Sequence, residues 1–140
     1  MRLYGIILLV LAQPLMAADP PGFVLWPKGT PPVGAVTRPI WGNHLMSIVR
    51  RNRDAGPEAH VRQSEIWVVQ SGEANLLIGG ELVDAKPNGP EDLRGSSIRN
   101  GIIKHISAGD VIHVQAGTPH EMIPEPGKEL VYFAVKITGP

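Results

Sequence analysis

The sequence predicts an all-β sandwich or barrel, and three observations carry that prediction. Short runs rich in Val, Ile and Leu succeed one another from His44 to Ile137, at strand length rather than helix length. Gly, Pro, Asn or Ser separates each run from the next, and totals of 16 Gly and 14 Pro are high for a helical protein. No window keeps a 3.6-residue apolar period, and nothing repeats at solenoid length.

The elements follow in order. Residues 1–18 place Arg2 ahead of an apolar run that ends in Ala17 and Ala18, the layout of a secretory signal peptide. The run is shorter than the ~20 residues that span a bilayer. The expectation is therefore export, to the periplasm or outside the cell, with no membrane attachment after cleavage. Residues 19–43 repeat Pro and Gly and read as an extended arm with room for a short strand at Gly34–Val36. Residues 44–140 form the β-domain, with strands expected at 44–50, 65–70, 74–78, 81–85, 102–106, 111–115 and 130–137. Gly79-Gly80 can supply the positive φ of a two-residue hairpin turn between the third and fourth of these. Residues 86–101, polar and rich in Pro and Gly, read as a surface loop long enough to cover a site.

Composition removes several functions. The chain is one domain long at 140 residues, and 43% hydrophobic residues are enough for a core. A formal net charge of zero argues against a nucleic-acid partner, and the basic cluster Arg50, Arg51 and Arg53 is too short to change that. With no cysteine, disulfides, thiolate metal sites and thiol nucleophiles are excluded.

Two stretches carry ligand-capable side chains. In "EAHVRQSEIWVVQSG", Glu58 and His60 are two apart and share one face of a strand, whereas Glu65 is out of phase with both. In "GDVIHVQAGTPHEMIP", a Gly-Asp turn, an apolar strand and a tight Ala-Gly-Thr-Pro turn lead to His120. Together the stretches resemble the cupin superfamily over most of residues 45–137. The first family motif is matched as Glu58-Ala-His60, four residues, Glu65, six residues, Gly72. The second is matched as Gly109, five residues, Gln115-Ala-Gly117, two residues, His120, three residues, Pro124. Glu58 stands where the family has its first histidine, Gln115 where it has proline, and Pro124 where it has asparagine.

The resemblance implies a cupin jelly-roll barrel, the double-stranded β-helix, preceded by the Pro-rich arm. It also implies that residues 61–64 break the strand and return Glu65 to the inner face beside Glu58 and His60. His120 would complete the set from a neighbouring strand, and Trp67 would floor the pocket. Two imidazoles and two carboxylates suit a divalent transition metal, Mn, Fe, Ni or Zn. Glu58 is then either a direct ligand, a hydrogen-bond acceptor behind the ligands, or a free general base; Glu58 and Glu65 are the candidate catalytic groups. Without a metal, His60 and Glu65 would form a buried hydrogen-bonded pair. Arg62, in the break, could hold an anionic substrate or be solvated, and His44, His105 and His113 read as exposed or structural. The functions implied are a metal-dependent enzyme on a small-molecule substrate, of oxygenase, isomerase or lyase type, or a non-catalytic metal- or ligand-binding module. A homodimer is also implied, with the arm as the segment that could reach across to a partner.

Overall fold

The computed structural model describes residues 20–140, so the segment 1–18 read as a signal peptide lies outside the described residues. Among the described residues, thirteen strands follow one 3-10 turn at Pro27–Gly29. They are β1 (Ile40–Trp41), β2 (His44–Arg51), β3 (Glu58–His60), β4 (Gln63–Ser71), β5 (Glu73–Ile78), β6 (Glu81–Val83) and β7 (Lys86–Pro87). The rest are β8 (Asp92–Arg94), β9 (Ser97–Arg99), β10 (Ile102–Ser107), β11 (Val111–Val114), β12 (His120–Pro124) and β13 (Leu130–Thr138). One sheet has the order β1-β2-β13-β4-β11 and the facing sheet β10-β5-β12-β3-β8-β7; β6 and β9 form a separate ribbon.

Alternation decides what each strand buries. On β4, Glu65, Trp67 and Val69 are buried while Ile66 and Gln70 are exposed. Ala74 and Leu76 on β5, and His120 and Met122 on β12, face them across the interior. A register shift between Val131 and Tyr132 marks a bulge opposite Gln70, after which Tyr132, Ala134 and Lys136 share one face of β13. Gly72 makes the β4–β5 turn at φ +80°, and a Cβ there would stand 2.2 Å from the Glu129 carbonyl oxygen, so only glycine fits.

The expected break at residues 61–64 is shorter than predicted, and its cause is topological. Only Val61 and Arg62 lie between β3 and β4, and across them the chain passes from one sheet to the other. Glu65 regains the interior because its strand belongs to the opposite wall.

Three expectations are corrected. The Gly79-Gly80 turn has positive φ at both residues, but β5 and β6 do not pair. β5 has both edges filled by β10 and β12, and β6 pairs with β9. Gly80 instead packs against the β9–β10 turn, where a Cβ would lie 2.2 Å from the Arg99 carbonyl oxygen. Residues 86–101 are not simply a loop: they contain β7, β8 and β9, and β8 extends the second sheet beside β3. No strand forms at Gly34–Val36; the first is β1, which takes Ile40 and Trp41 out of the arm. The arm lies against its own barrel, where Trp26 meets Phe133 edge-on at 6.2 Å and Gln70 donates to the Gly29 carbonyl at 3.0 Å.

Candidate metal centre

Register brings the ligand-capable residues together. His120 on β12 is directly opposite Glu58 on β3. The turn before His120 is tied to the first motif: the Gly117 N–H donates to the His60 carbonyl at 2.7 Å, and the Ala116 N–H donates to Ser64 Oγ at 3.1 Å. Glu65 enters from β4 on the facing sheet. His60, Glu65 and His120 are the buried charged or polar residues of the core, each 2–3% exposed.

Two overlapping triads share the histidines. Glu58, His60 and His120 offer atoms within 4.8 Å of one another. Glu65 Oε2 lies 3.4 Å from His60 Nε2 and 3.5 Å from His120 Nε2, and Glu58 Oε1 lies 3.6 Å from His120 Nε2. Ligands about 2.1 Å from a metal stand about 3.0 Å apart at right angles and about 3.4 Å apart in a tetrahedron. The observed spacings, 3.4–3.6 Å, lie at the upper end of that range and just beyond it.

The second contacts of the histidines fix which nitrogen faces inward. His60 Nδ1 donates to Asp92 Oδ1 at 2.6 Å, and His120 Nδ1 donates to the Thr118 carbonyl at 3.0 Å. Both Nε2 atoms thereby face the carboxylates: on a neutral ring they offer lone pairs in the arrangement of metal-binding imidazoles, and on a protonated ring they donate to Glu65 and Glu58 instead. Glu65 Oε2 and His120 Nε2 are buried without a hydrogen-bond partner. Two acceptors facing each other in a buried site need a proton or a cation between them. The residues therefore fit a divalent metal.

Two native cations already stand at the carboxylates. Arg94 on β8 lies directly opposite Glu58 and contacts its Oε2 at 2.7 Å. Lys136 on β13 lies directly opposite Glu65, with Nζ 3.1 Å from Oε1 and 2.9 Å from His60 Nε2. Burial pushes the Glu65 carboxyl up, but the His60 hydrogen bond and the charges of Lys136 and both histidines bring it down to about 2. Glu58 is likewise lowered: burial opposes ionisation, and His120, Arg94 and His60 outweigh it. For His60, burial favours the neutral ring, while Glu65 and Asp92 raise its affinity for a proton against the opposing charge of Lys136.

Above the centre is a cavity of about 50 Å³ walled by Arg51, Glu58, Glu65, Trp67, Tyr132 and Lys136, among others. The Trp67 ring lies 5.4 Å from those of His120 and Tyr132. Arg62 is elsewhere. It is exposed, pairs with Glu91 and does not line the cavity; the arginine at the wall is Arg51. His44 stacks on Trp41, His105 contacts Glu73, and His113 is exposed. The sequence reading missed Asp92, Arg94 and Lys136. For Lys136 a signal was present, because Tyr132, Ala134 and Lys136 alternate on one face of the last strand. For Asp92 and Arg94 it was hidden, because residues 86–101 carry no apolar alternation.

No protein-family model and no curated protein matches the chain. Solved structures do. A double-stranded β-helix protein from Klebsiella pneumoniae aligns at TM-score 0.50 and 19% identity over 69% of each chain. A cupin from Bacteroides fragilis aligns at TM-score 0.50 and 12% identity, over 71% of this chain and 69% of that one. A hydroquinone 1,2-dioxygenase, solved with Cd2+ and 4-hydroxybenzonitrile, aligns at TM-score 0.56 and 15% identity over 73% of this chain; this chain covers 62% of the dioxygenase chain. Fold and likeness together define a double-stranded β-helix protein. What the likeness shows is the fold, a small single barrel of the cupin type.

Proposed function

We propose that this protein binds one divalent transition metal through His60, His120, Glu65 and Glu58, and acts as an exported, metal-dependent enzyme on a small molecule. The observation that carries the reading is the pair of inward Nε2 atoms, each ring fixed by an Nδ1 hydrogen bond, grouped with the carboxylates of Glu58 and Glu65 in a buried cluster. A likeness to a dioxygenase solved with Cd2+ supports it at the level of the fold. When bound, the metal supplies Lewis-acid chemistry at a substrate oxygen. Glu65, the more buried carboxylate, is a fixed anion that holds charge. Glu58 is more open: Arg94 holds its Oε2, and its Oε1 faces the centre, where it either bonds the metal or, left free of it, moves a proton. Trp67 and Tyr132 wall the cavity and exclude water from one side. Mn, Fe, Ni and Zn all accept this donor set.

One observation favours a second reading. Lys136 and Arg94 neutralise the two carboxylates with no metal at all, as a non-catalytic ligand-binding barrel would require. Elemental analysis of residues 19–140 beside the His120→Ala variant decides. Near-stoichiometric metal that vanishes in the variant supports the metal centre; metal-free protein after purification in Mn-, Fe-, Ni- and Zn-supplemented buffers leaves the binding module. Light scattering of the same sample with and without residues 19–43 tests a homodimer held by the arm, and fails it if the shortened chain stays dimeric.

A further inference from the structure

Four of the buried polar side-chain atoms that lack a hydrogen-bond partner belong to residues walling the central cavity: Arg51 Nε, Glu65 Oε2, Trp67 Nε1 and His120 Nε2. Such orphans are uncommon in folded proteins and point to a missing partner. Two of these accept and two donate. The acceptors, Glu65 Oε2 and His120 Nε2, face the metal position. The donors, Arg51 Nε–H and Trp67 Nε1–H, gain nothing from a cation. They need an oxygen with lone pairs, and beside a guanidinium an anionic one is favoured.

The surroundings agree. Arg51 and Ala55 line both the cavity and an open hollow of about 540 Å³ outside it, whose wall runs from Arg50 through Ala55. That wall holds three arginines and one acid, Asp54. Arg50 is engaged by Glu129 at 2.9 Å, whereas neither Arg51 nor Arg53 has an ion-pair partner among the described residues. Tyr132 lines the inner cavity together with Arg51. A carboxylate is small enough for the inner cavity, and the hollow leaves room for the rest of a modest molecule.

We propose that the cavity is a binding site for a small organic acid, its carboxylate held by Arg51 and Trp67 and its remainder lying in the hollow beside Arg53. The proposal rests on reading the barrel interior as a small-molecule site, and names the class of molecule. Calorimetry of the full mature chain, metal-free and Zn2+-loaded, with acetate and benzoate against the neutral isosteres acetamide and benzamide tests it. Both acids should bind at least about tenfold more tightly than their amides. Arg51→Gln should remove that preference while Zn2+ stoichiometry stays at the wild-type value. Trp67→Phe, which keeps the ring and removes the N–H, should weaken the acids by about three- to tenfold, and decides the matter if Arg51→Gln fails to fold. Amides that bind as well as acids, wild-type acid affinity in Arg51→Gln, or no binding of any probe would overturn it. Acid binding that persists in a protein taking up no Zn2+ keeps this site and sinks the metal centre; Zn2+ uptake without acid binding does the reverse.

Discussion

The two carboxylates of the centre are built alike and placed differently. Each is paired across its own sheet with a cation in direct register, Glu58 with Arg94 and Glu65 with Lys136. Glu58 and Arg94 sit toward the edge of the second sheet, in strands of three residues, and Arg94 also donates to the Ala55 carbonyl at 2.9 Å. Glu65 and Lys136 sit in nine-residue strands at the heart of the first sheet. The guanidinium therefore grips its carboxylate from the side away from His120, leaving Oε1 toward the centre. The ammonium reaches into the centre itself and touches a histidine lone pair. The same cross-strand device thus positions one carboxylate and occupies the other's coordination space.

Lys136→Met should break that difference most sharply. It leaves Glu65 ionised and buried without its cation, so the metal-free barrel should lose about 3 kcal/mol or more. Chemical denaturation measures the loss, and saturating Zn2+ should restore most of it. If Lys136→Met melts like the wild type without metal, the ammonium does not hold the site. Glu65→Gln combined with Lys136→Met should be far milder than Lys136→Met alone, because both charges leave together. Next in size is Asp92→Asn, which removes the charge behind His60 and should weaken metal binding about 10–100-fold with the fold intact; competition with a chelator reads it. Smallest is Arg94→Gln at the more open pair, about 1 kcal/mol in stability, with metal affinity changed less than in Asp92→Asn. An Arg94→Gln effect as large as that of Lys136→Met would erase the distinction between the two pairs.

How far the sequence reached follows from which interactions are local. Strands such as β4 and β13 were legible because one buried face imposes alternation on every second residue. The site's histidines were legible because each sits at a turn whose spacing is part of a motif; Gly117 must bond the His60 carbonyl for His120 to arrive where it does. The partners were not. Asp92 and Arg94 act through pairing with β3, a contact more than thirty residues distant in sequence, in a segment whose own residues favour turns. Gly79-Gly80 satisfied the chemistry of a hairpin turn, yet pairing across sheets took both edges of β5, so local turn chemistry lost to tertiary pairing. Arg62 was plausible by proximity in sequence, but the chain crosses between sheets at that point and the side chain leaves with the outer surface.

Lys136 gives the barrel a property that a bare ligand set lacks. A site of two carboxylates and two imidazoles with nothing between them would push its walls apart until a metal came. With the lysine beside Glu65 and Arg94 beside Glu58, both carboxylates already have a cation in the metal-free fold, unlike domains whose folding is driven by the metal they hold. Loading such a site with a metal would be an exchange rather than a filling, because the ion would have to displace the Lys136 ammonium from His60 Nε2 and Glu65 Oε1.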